Sequence, residues 1–365
     1  MTKVLVHLLM TKSPLALLLA TVLVLAASAA RAWDYEGHRI VNQLGLAALP
    51  ADFPAFVREP ANAERIAFLG GEPDRWKSAP DLPLRQSNSM DHYCDLEELA
   101  EAGLDAATVP SFRYDFAVQF ATGRAAHLEK FPTGNESRNT DHTREWPGFS
   151  PWAITEYYAK LKSAFSYLEA FEEAGTPTEI ANAQANIVYL MGVMGHYIGD
   201  GAQPLHTTVH HNGWVGSNPK GYTTWSGIHA WIDGGFLAKA GIRTAGLMPQ
   251  VRLAQPISLV PRPDGRDAMF VAVMDYLRAQ NQLVEPLYQL EKDGKLSDEL
   301  EKSGKYHQDT HPADEAGRKF IEARLLTGGG MLATVWVTAW KQAGPDVFLR
   351  AQLLKRQTAA VPAAK

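Results

Sequence analysis

TEIANAQANIVYLMGVMGHYIGDGAQPLH, residues 178–206, decides how the rest of the chain reads. Its apolar positions recur at helical spacing over 178–199, so the sequence predicts a long helix. Pro204 stops that helix. His196 and Asp200 lie four apart on it, one turn above each other on one face, where both can hold one ion or two adjacent ions. His206 follows on the turn. The same spacing recurs downstream in GIHAWID, with His229 and Asp233. One such pair alone is most simply a contact on a helix surface, worth a few tenths of a kcal/mol. Two pairs and a third histidine, set among glycine, tryptophan and apolar residues, offer five nitrogen and carboxylate ligands of the kind zinc accepts.

Working outward, helical periodicity also predicts helices over 38–48, 152–171, 229–241, 267–291 and 314–342, the last interrupted by Gly328-Gly329-Gly330. Few segments alternate apolar with polar β-branched residues. The expectation is an all-α protein, a single mostly helical globular domain with long loops. Those loops fall in the Pro-, Gly- and charge-rich pieces 71–90, 130–150, 211–227 and 254–266.

At the N-terminus, Lys3 and Lys12, an apolar run from Leu15 to Ala30 and Ala30-Arg31-Ala32 read as a cleavable export signal over 1–32. The run is short for a membrane span. The domain is expected over 33–354 and a flexible tail over 355–365. The 365 residues carry 35 basic and 40 acidic side chains, a net charge of −5. Removing Lys3, Lys12 and Arg31 takes away three positive charges and makes it −8. An acidic chain lacks the basic surface that binds polyanions, unless bound dications reverse the sign locally. Cys94 is the only cysteine, so no intramolecular disulfide forms. With the export signal, that reads as a bacterial protein, periplasmic or secreted, for which the sequon Asn135-Glu136-Ser137 carries no weight.

Cleavage after Ala32 leaves Trp33 as the first residue, with Gly37-His38 close behind. PDRWK offers Asp74 and Lys77; DHYCDLE offers His92, Tyr93 and Asp95. Taken in order, Trp33, Gly37-His38, Asp74, His92-Tyr93-x-Asp95, HYIGDGAQPLH and His229-x-x-x-Asp233 resemble the superfamily of trinuclear-zinc phosphodiesterases. That superfamily contains the fungal and plant zinc-dependent single-strand nucleases and the bacterial zinc-dependent phospholipases C. The likeness spans most of the chain after the signal.

The resemblance implies three Zn²⁺ ions. The first takes Asp74, His92, His196 and Asp200. The second takes His206, His229 and Asp233. The third takes the freed amino group and carbonyl of Trp33 with His38 and Asp200, so Asp200 bridges two ions and export cleavage creates a ligand. It implies an endonuclease that hydrolyses single-stranded DNA or RNA to 5′-phosphate products through a zinc-bridging hydroxide, with Asp74, Lys77 and Asp200 as catalytic residues. Lys77 stands where the nucleases carry arginine, and it keeps the charge without the bidentate geometry. Tyr93 is either a base-stacking aromatic or a core residue. Asp95 either orients a ligand or is structural. The alternative within the superfamily is a phospholipase C acting on membrane lipid, with Trp214, Tyr222 and Trp225 either an exposed apolar rim or ordinary packing. Asp233 favours the nuclease branch, since the phospholipases carry Glu there. His210 and His211 read as loop residues, and His127, His142, His307 and His311 as surface or structural histidines.

Overall fold

A computed structural model describes residues 33–131, 139–296 and 312–360. The expected export signal, the sequon at 135–137, His307, His311 and residues 361–365 lie outside the described residues. Among the described residues there are helices and no strands, so the all-α expectation holds. The elements are α1 (Tyr35–Ala47), α2 (Pro60–Leu69), α3 (Glu72–Lys77), α4 (Leu82–Asn88), α5 (Leu96–Glu101), α6 (Arg113–Ala126), α7 (Ser150–Ala174) and α8 (Pro177–Ala202). Next comes α9, built from Ile228–Ala230, a π turn Trp231–Gly235 and Phe236–Lys239. Then follow α10 (Ala268–Asn281), α11 (Val284–Lys292), α12 (Glu315–Gln342) and α13 (Val347–Ala360). None of them is long and apolar enough to cross a membrane.

The predicted helix over 178–199 is α8, and it is the axis of the fold. Its start is a capping box: Glu179 N donates to Thr176 Oγ1 at 3.3 Å, and Glu179 Oε2 accepts from Thr176 N at 2.8 Å. Pro177 fits the first turn, where its missing N–H costs nothing. Toward its C-terminus the helix loses any polar face. Residues 191–202 are buried without a break, the pattern of a helix enclosed on all sides. α7, α12, α2, α1 and α10 all pack on it.

Glycines let those neighbours come close. A side chain on Gly192 would strike Leu69 and Ile66 O, one on Gly195 would land on the Asn42 amide, and one on Gly199 would press on His38. Asn42 uses the room to donate to Ile66 O at 2.7 Å and to Gly192 O at 3.1 Å, tying α1, α2 and α8 together inside the core.

The departures from expectation have local causes. α12 runs unbroken through Gly328-Gly329-Gly330. Two of these glycines face α1, where a Cβ on Gly329 would collide with Leu44 Cβ at 2.5 Å, so they are contact residues and not a helix stop. The span 267–291 divides at Gln282–Leu283, where Leu283 N donates to Gln280 O at 2.9 Å and closes a tight turn. Neither glycine nor proline marks that break. The segment 71–90 is not loop but α3 and α4, followed by a 3₁₀ turn Ser89–His92. α2, α5 and α6 were not expected. α13 continues past 354 into the segment expected as tail, because Arg350 pairs with Glu173 at 2.5 Å, Arg356 pairs with Glu179 at 2.7 Å, and Leu353 is buried.

Gly195→Ala should destabilise the protein by about 2–4 kcal/mol, because its methyl group would expel the Asn42 amide from two buried hydrogen bonds. Urea unfolding of the metal-free variant measures this, and an unchanged midpoint would count against the close-approach account.

Candidate metal centre

Trp33 and α1 bring in the first histidine. Asp34 caps α1, its Oδ1 accepting from Glu36 N and Gly37 N at 3.2 Å each, which puts His38 in the first turn. The Trp33 indole folds over Gly37 and its Nε1 donates to Gly199 O at 2.9 Å, one residue before Asp200. Asp34 N also donates to Asp233 O at 3.2 Å. The segment Trp33-Asp34 is thereby fastened to both of the helices that carry His-x-x-x-Asp pairs.

The histidines converge. His38 stacks on His196 with ring centroids 3.8 Å apart, and its Nε2 is 3.4 Å from Asp200 Oδ1. His196 Nε2 lies 3.2 Å from Asp200 Oδ2, 2.8 Å from His92 Nδ1 and 3.9 Å from Asp74 Oδ1. His92 Nδ1 is 3.1 Å from Asp200 Oδ2. The two oxygens of Asp200 thus serve different histidines, Oδ1 facing His38 and Oδ2 facing His92 and His196. Nearby, His206 Nε2 and His229 Nε2 are 3.0 Å apart, and His229 Nε2 is 3.1 Å from Asp233 Oδ2. The π turn of α9 carries Asp233, a local widening that recurs at functional sites.

The outer partners fix which ring nitrogen is bare. A carbonyl can only accept, so His196 Nδ1 carries its proton toward Gly70 O at 2.7 Å, and His206 Nδ1 does the same toward His92 O at 2.8 Å. Each leaves Nε2 as a lone pair aimed at the cluster. Gln203 Nε2 donates to Asp233 Oδ1 at 2.8 Å, leaving Oδ2 for the ion. Such partners orient metal ligands.

Burial sets the charge state. It lowers His38 to about 3 and His196 to about 4, and it lowers His92, His206 and His229 well below the usual histidine range. It raises Asp200 to about 8 and Asp233 well above the carboxylate range. The histidines are neutral donors and Asp200 and Asp233 are held back from ionising, whereas Asp74 is drawn below the usual carboxylate range, burial being outweighed by His196, Lys77 and His38. Buried polar atoms ordinarily find partners. Here His38 Nδ1 and Nε2, His92 Nε2, Asp200 Oδ1 and Asp233 Oδ2 make no hydrogen bond. Three donor sets, His38/His196/Asp200, Asp74/His92/His196 and His206/His229/Asp233, each gather within 4.8 Å. These buried clusters can hold metal ions, and the unpaired lone pairs are what such ions would satisfy.

All eight ligand side chains expected from the sequence therefore meet. Lys77 meets them too, its Nζ 2.8 Å from Asp74 Oδ1 and 3.4 Å from His92 Nδ1. Tyr93 is half-buried, and its hydroxyl donates to Thr143 O at 3.3 Å and Trp146 O at 3.4 Å, the bonding of a packed tyrosine. Asp95 makes no contact with a cluster histidine among those described; its backbone N donates to Pro147 O at 2.6 Å. Of the three loop aromatics, Tyr222 is buried and Trp214 and Trp225 are half-buried against the core; Trp214 and Tyr222 pack on Tyr288, at 5.3 and 5.6 Å between centroids. Cys94 is a buried residue.

Three contributors were not legible in the sequence as read. Gly70 supplies a carbonyl from the end of α2, itself unexpected. Glu97 accepts from Thr208 Oγ1 at 2.8 Å and Val209 N at 3.2 Å, steadying the chain beyond His206. His211, read as a loop residue, has its ring 6.1 Å from that of His229 and its Nδ1 3.2 Å from Thr208 O. His210 instead stacks flat on Trp214 at 3.8 Å. Compared with protein-family models, curated proteins and solved structures, the chain matches none.

A ligating carboxylate must be ionised, whereas Asp200 stays protonated up to about pH 8 in the metal-free protein. Metal uptake at pH 7 should therefore release at least one proton, and apparent affinity should fall about tenfold per pH unit below 8. The neutral histidines add nothing to this over the neutral range. Calorimetric titration with Zn²⁺ in two buffers of different ionisation enthalpy measures the release, and none at pH 7 would contradict the assignment of Asp200.

Proposed function

We propose that the protein is a zinc-dependent phosphodiesterase of the trinuclear-zinc superfamily, an exported endonuclease that cleaves single-stranded DNA or RNA to 5′-phosphate ends. The observation that carries this is the meeting of His38, Asp74, His92, His196, Asp200, His206, His229 and Asp233 in one buried set, with lone pairs unpaired and Asp200 facing two sides. Neutral imidazoles and carboxylates suit Zn²⁺. On this reading three ions would be held: one by Asp74, His92, His196 and Asp200, one by His206, His229 and Asp233, and one by His38 and Asp200 with the Trp33 amino group after cleavage at Ala32. Zinc in such a cluster supplies an acidified water and charge neutralisation at a phosphodiester.

The chain's own residues do the rest. Asp200 turns one oxygen to His38 and the other to His92 and His196, and so would help to hold an ion on either side. Asp74 holds the Lys77 ammonium at the edge of the cluster, a positive charge placed to meet the charge that develops on phosphorus-bound oxygen. Gly70 O, His92 O and Gln203 keep the ligands in one orientation, so they need not reorganise as the reaction proceeds. Asp233 in place of glutamate and the inward packing of Trp214 and Tyr222 support the nuclease branch over a phospholipase.

The deciding assay offers the correctly cleaved protein single-stranded DNA or RNA in one reaction and phosphatidylcholine in another, each with and without a chelator. Chelator-sensitive cleavage to 5′-phosphate ends is the expected result. Release of phosphocholine with nucleic acid left intact would move the protein to the phospholipase branch, and activity that survives the chelator would end the zinc reading. In the same protein, Asp200→Asn should reduce the bound zinc by more than one ion per chain by elemental analysis, and an unchanged count would remove the bridging role.

A further inference from the structure

Of the eight expected ligand side chains, His229 is the one that reaches solvent most. It is 13% exposed, against 9% for Asp74, 4% for His206 and none for His38, His196 and Asp200. The half-buried ring of His211 lies beside it, 6.1 Å away between centroids and inclined at 60°. The chain on either side of His211 is held firmly. Asn281 Nδ2 donates to Thr207 O at 2.8 Å, Thr208 Oγ1 and Val209 N donate to Glu97 at 2.8 and 3.2 Å, and the Tyr288 hydroxyl donates to His210 O. The His210 ring stacks on Trp214, whose backbone N donates to Thr223 O at 2.8 Å.

An imidazole held this firmly still has one nitrogen in no hydrogen bond. His211 Nδ1 lies 3.2 Å from Thr208 O, and a carbonyl only accepts, so Nδ1 carries the proton. In the neutral ring Nε2 is then a bare lone pair, and among the described residues it has no hydrogen-bond partner. It belongs to none of the donor sets either; the one beside it gathers His206, His229 and Asp233. Nε2 can therefore only accept. The oxygens of a phosphodiester also only accept, and the choline head group has no N–H or O–H, so neither satisfies it. A ribonucleotide does carry a donor next to its phosphodiester. This is the 2′-hydroxyl, on the carbon beside the one that bears the 3′ oxygen, and DNA lacks it.

We propose that His211 is a specificity-determining residue: its Nε2 accepts a hydrogen bond from the ribose 2′-hydroxyl beside the phosphodiester being cleaved, and so selects RNA over single-stranded DNA. This rests on the reading of the site as a nuclease.

The test measures kcat/KM on matched single strands of RNA and DNA, at about pH 8, where an ordinary histidine is neutral. It compares the zinc-loaded wild type with His211→Asn and His211→Gln. Asparagine places an amide N–H where Nδ1 stands, so it keeps the bond to Thr208 O and lacks the outer acceptor. Glutamine offers an acceptor near the Nε2 position. The wild type should prefer RNA. His211→Asn should narrow the RNA-to-DNA ratio about tenfold, as for one hydrogen bond lost in a partly desolvated site, and His211→Gln should restore part of it. A purely structural role for His211 predicts the reverse order. Elemental analysis should find as much zinc in His211→Asn as in the wild type. No RNA preference in the wild type, an unchanged ratio in His211→Asn, or a loss that follows the base and not the sugar would overturn the acceptor and leave the nuclease reading intact. A lost zinc ion would do the same, by making His211 a ligand. A wild-type enzyme that cleaves neither strand would overturn the nuclease reading, and the role of His211 with it.

Discussion

Asp200 and His196 sit on the part of α8 that never reaches solvent, and the protein is organised around that burial. An ionised carboxylate in such a place is costly unless something positive meets it. Among the described residues no arginine does so. It surrounds Asp200 with imidazoles that burial keeps neutral, and with Lys77 one layer away on Asp74. A set of neutral donors and reluctant acids is poor at stabilising itself and well suited to an added cation. The fold therefore carries a local instability that a bound cation would relieve, which would couple metal content to folding.

Such a cluster needs backbones closer than ordinary side chains allow. The glycines of α8 at 192, 195 and 199, and of α12 at 328 and 329, provide that approach. Because α1 can lie against α8 at Gly199, His38 stacks on His196. Because α2 can lie against Gly192, its last carbonyl region reaches His196 Nδ1. Close packing and ligand geometry are thus one arrangement: the contacts that hold the core also select the tautomers that leave Nε2 free. The second histidine pair is set differently, by a 3₁₀ turn, a π turn and the amide of Gln203.

How much was legible follows from range. The His-x-x-x-Asp pairs are four residues apart, and helical repeat alone puts each pair on one face, so they could be read directly. The order of the remaining ligands was readable through resemblance, and the structure brings every one of those side chains to the same place. The glycine run at 328–330 was misread because glycine weakens a helix in isolation, while here the missing side chain of Gly329 is required by Leu44. Tyr93 could be read two ways because an aromatic beside a ligand looks the same in sequence whether its hydroxyl faces a loop or a substrate. α2, α5 and α6 escaped because their apolar faces are short and completed by distant elements.

By itself, then, the sequence determined the helical class, the two four-residue pairs, the donor chemistry and the absence of any intramolecular disulfide. These depend on residue type and on the repeat of a single helix. Only the tertiary structure decided that segments from Trp33 to Asp233 share one site, that Asp200 turns an oxygen to each of two histidine groups, and that Gly70, Glu97 and Gln203 act as supports. Those relations join residues far apart in the chain. They are set by how closely the helices approach and by which carbonyls then lie within hydrogen-bond reach, and no local pattern encodes either.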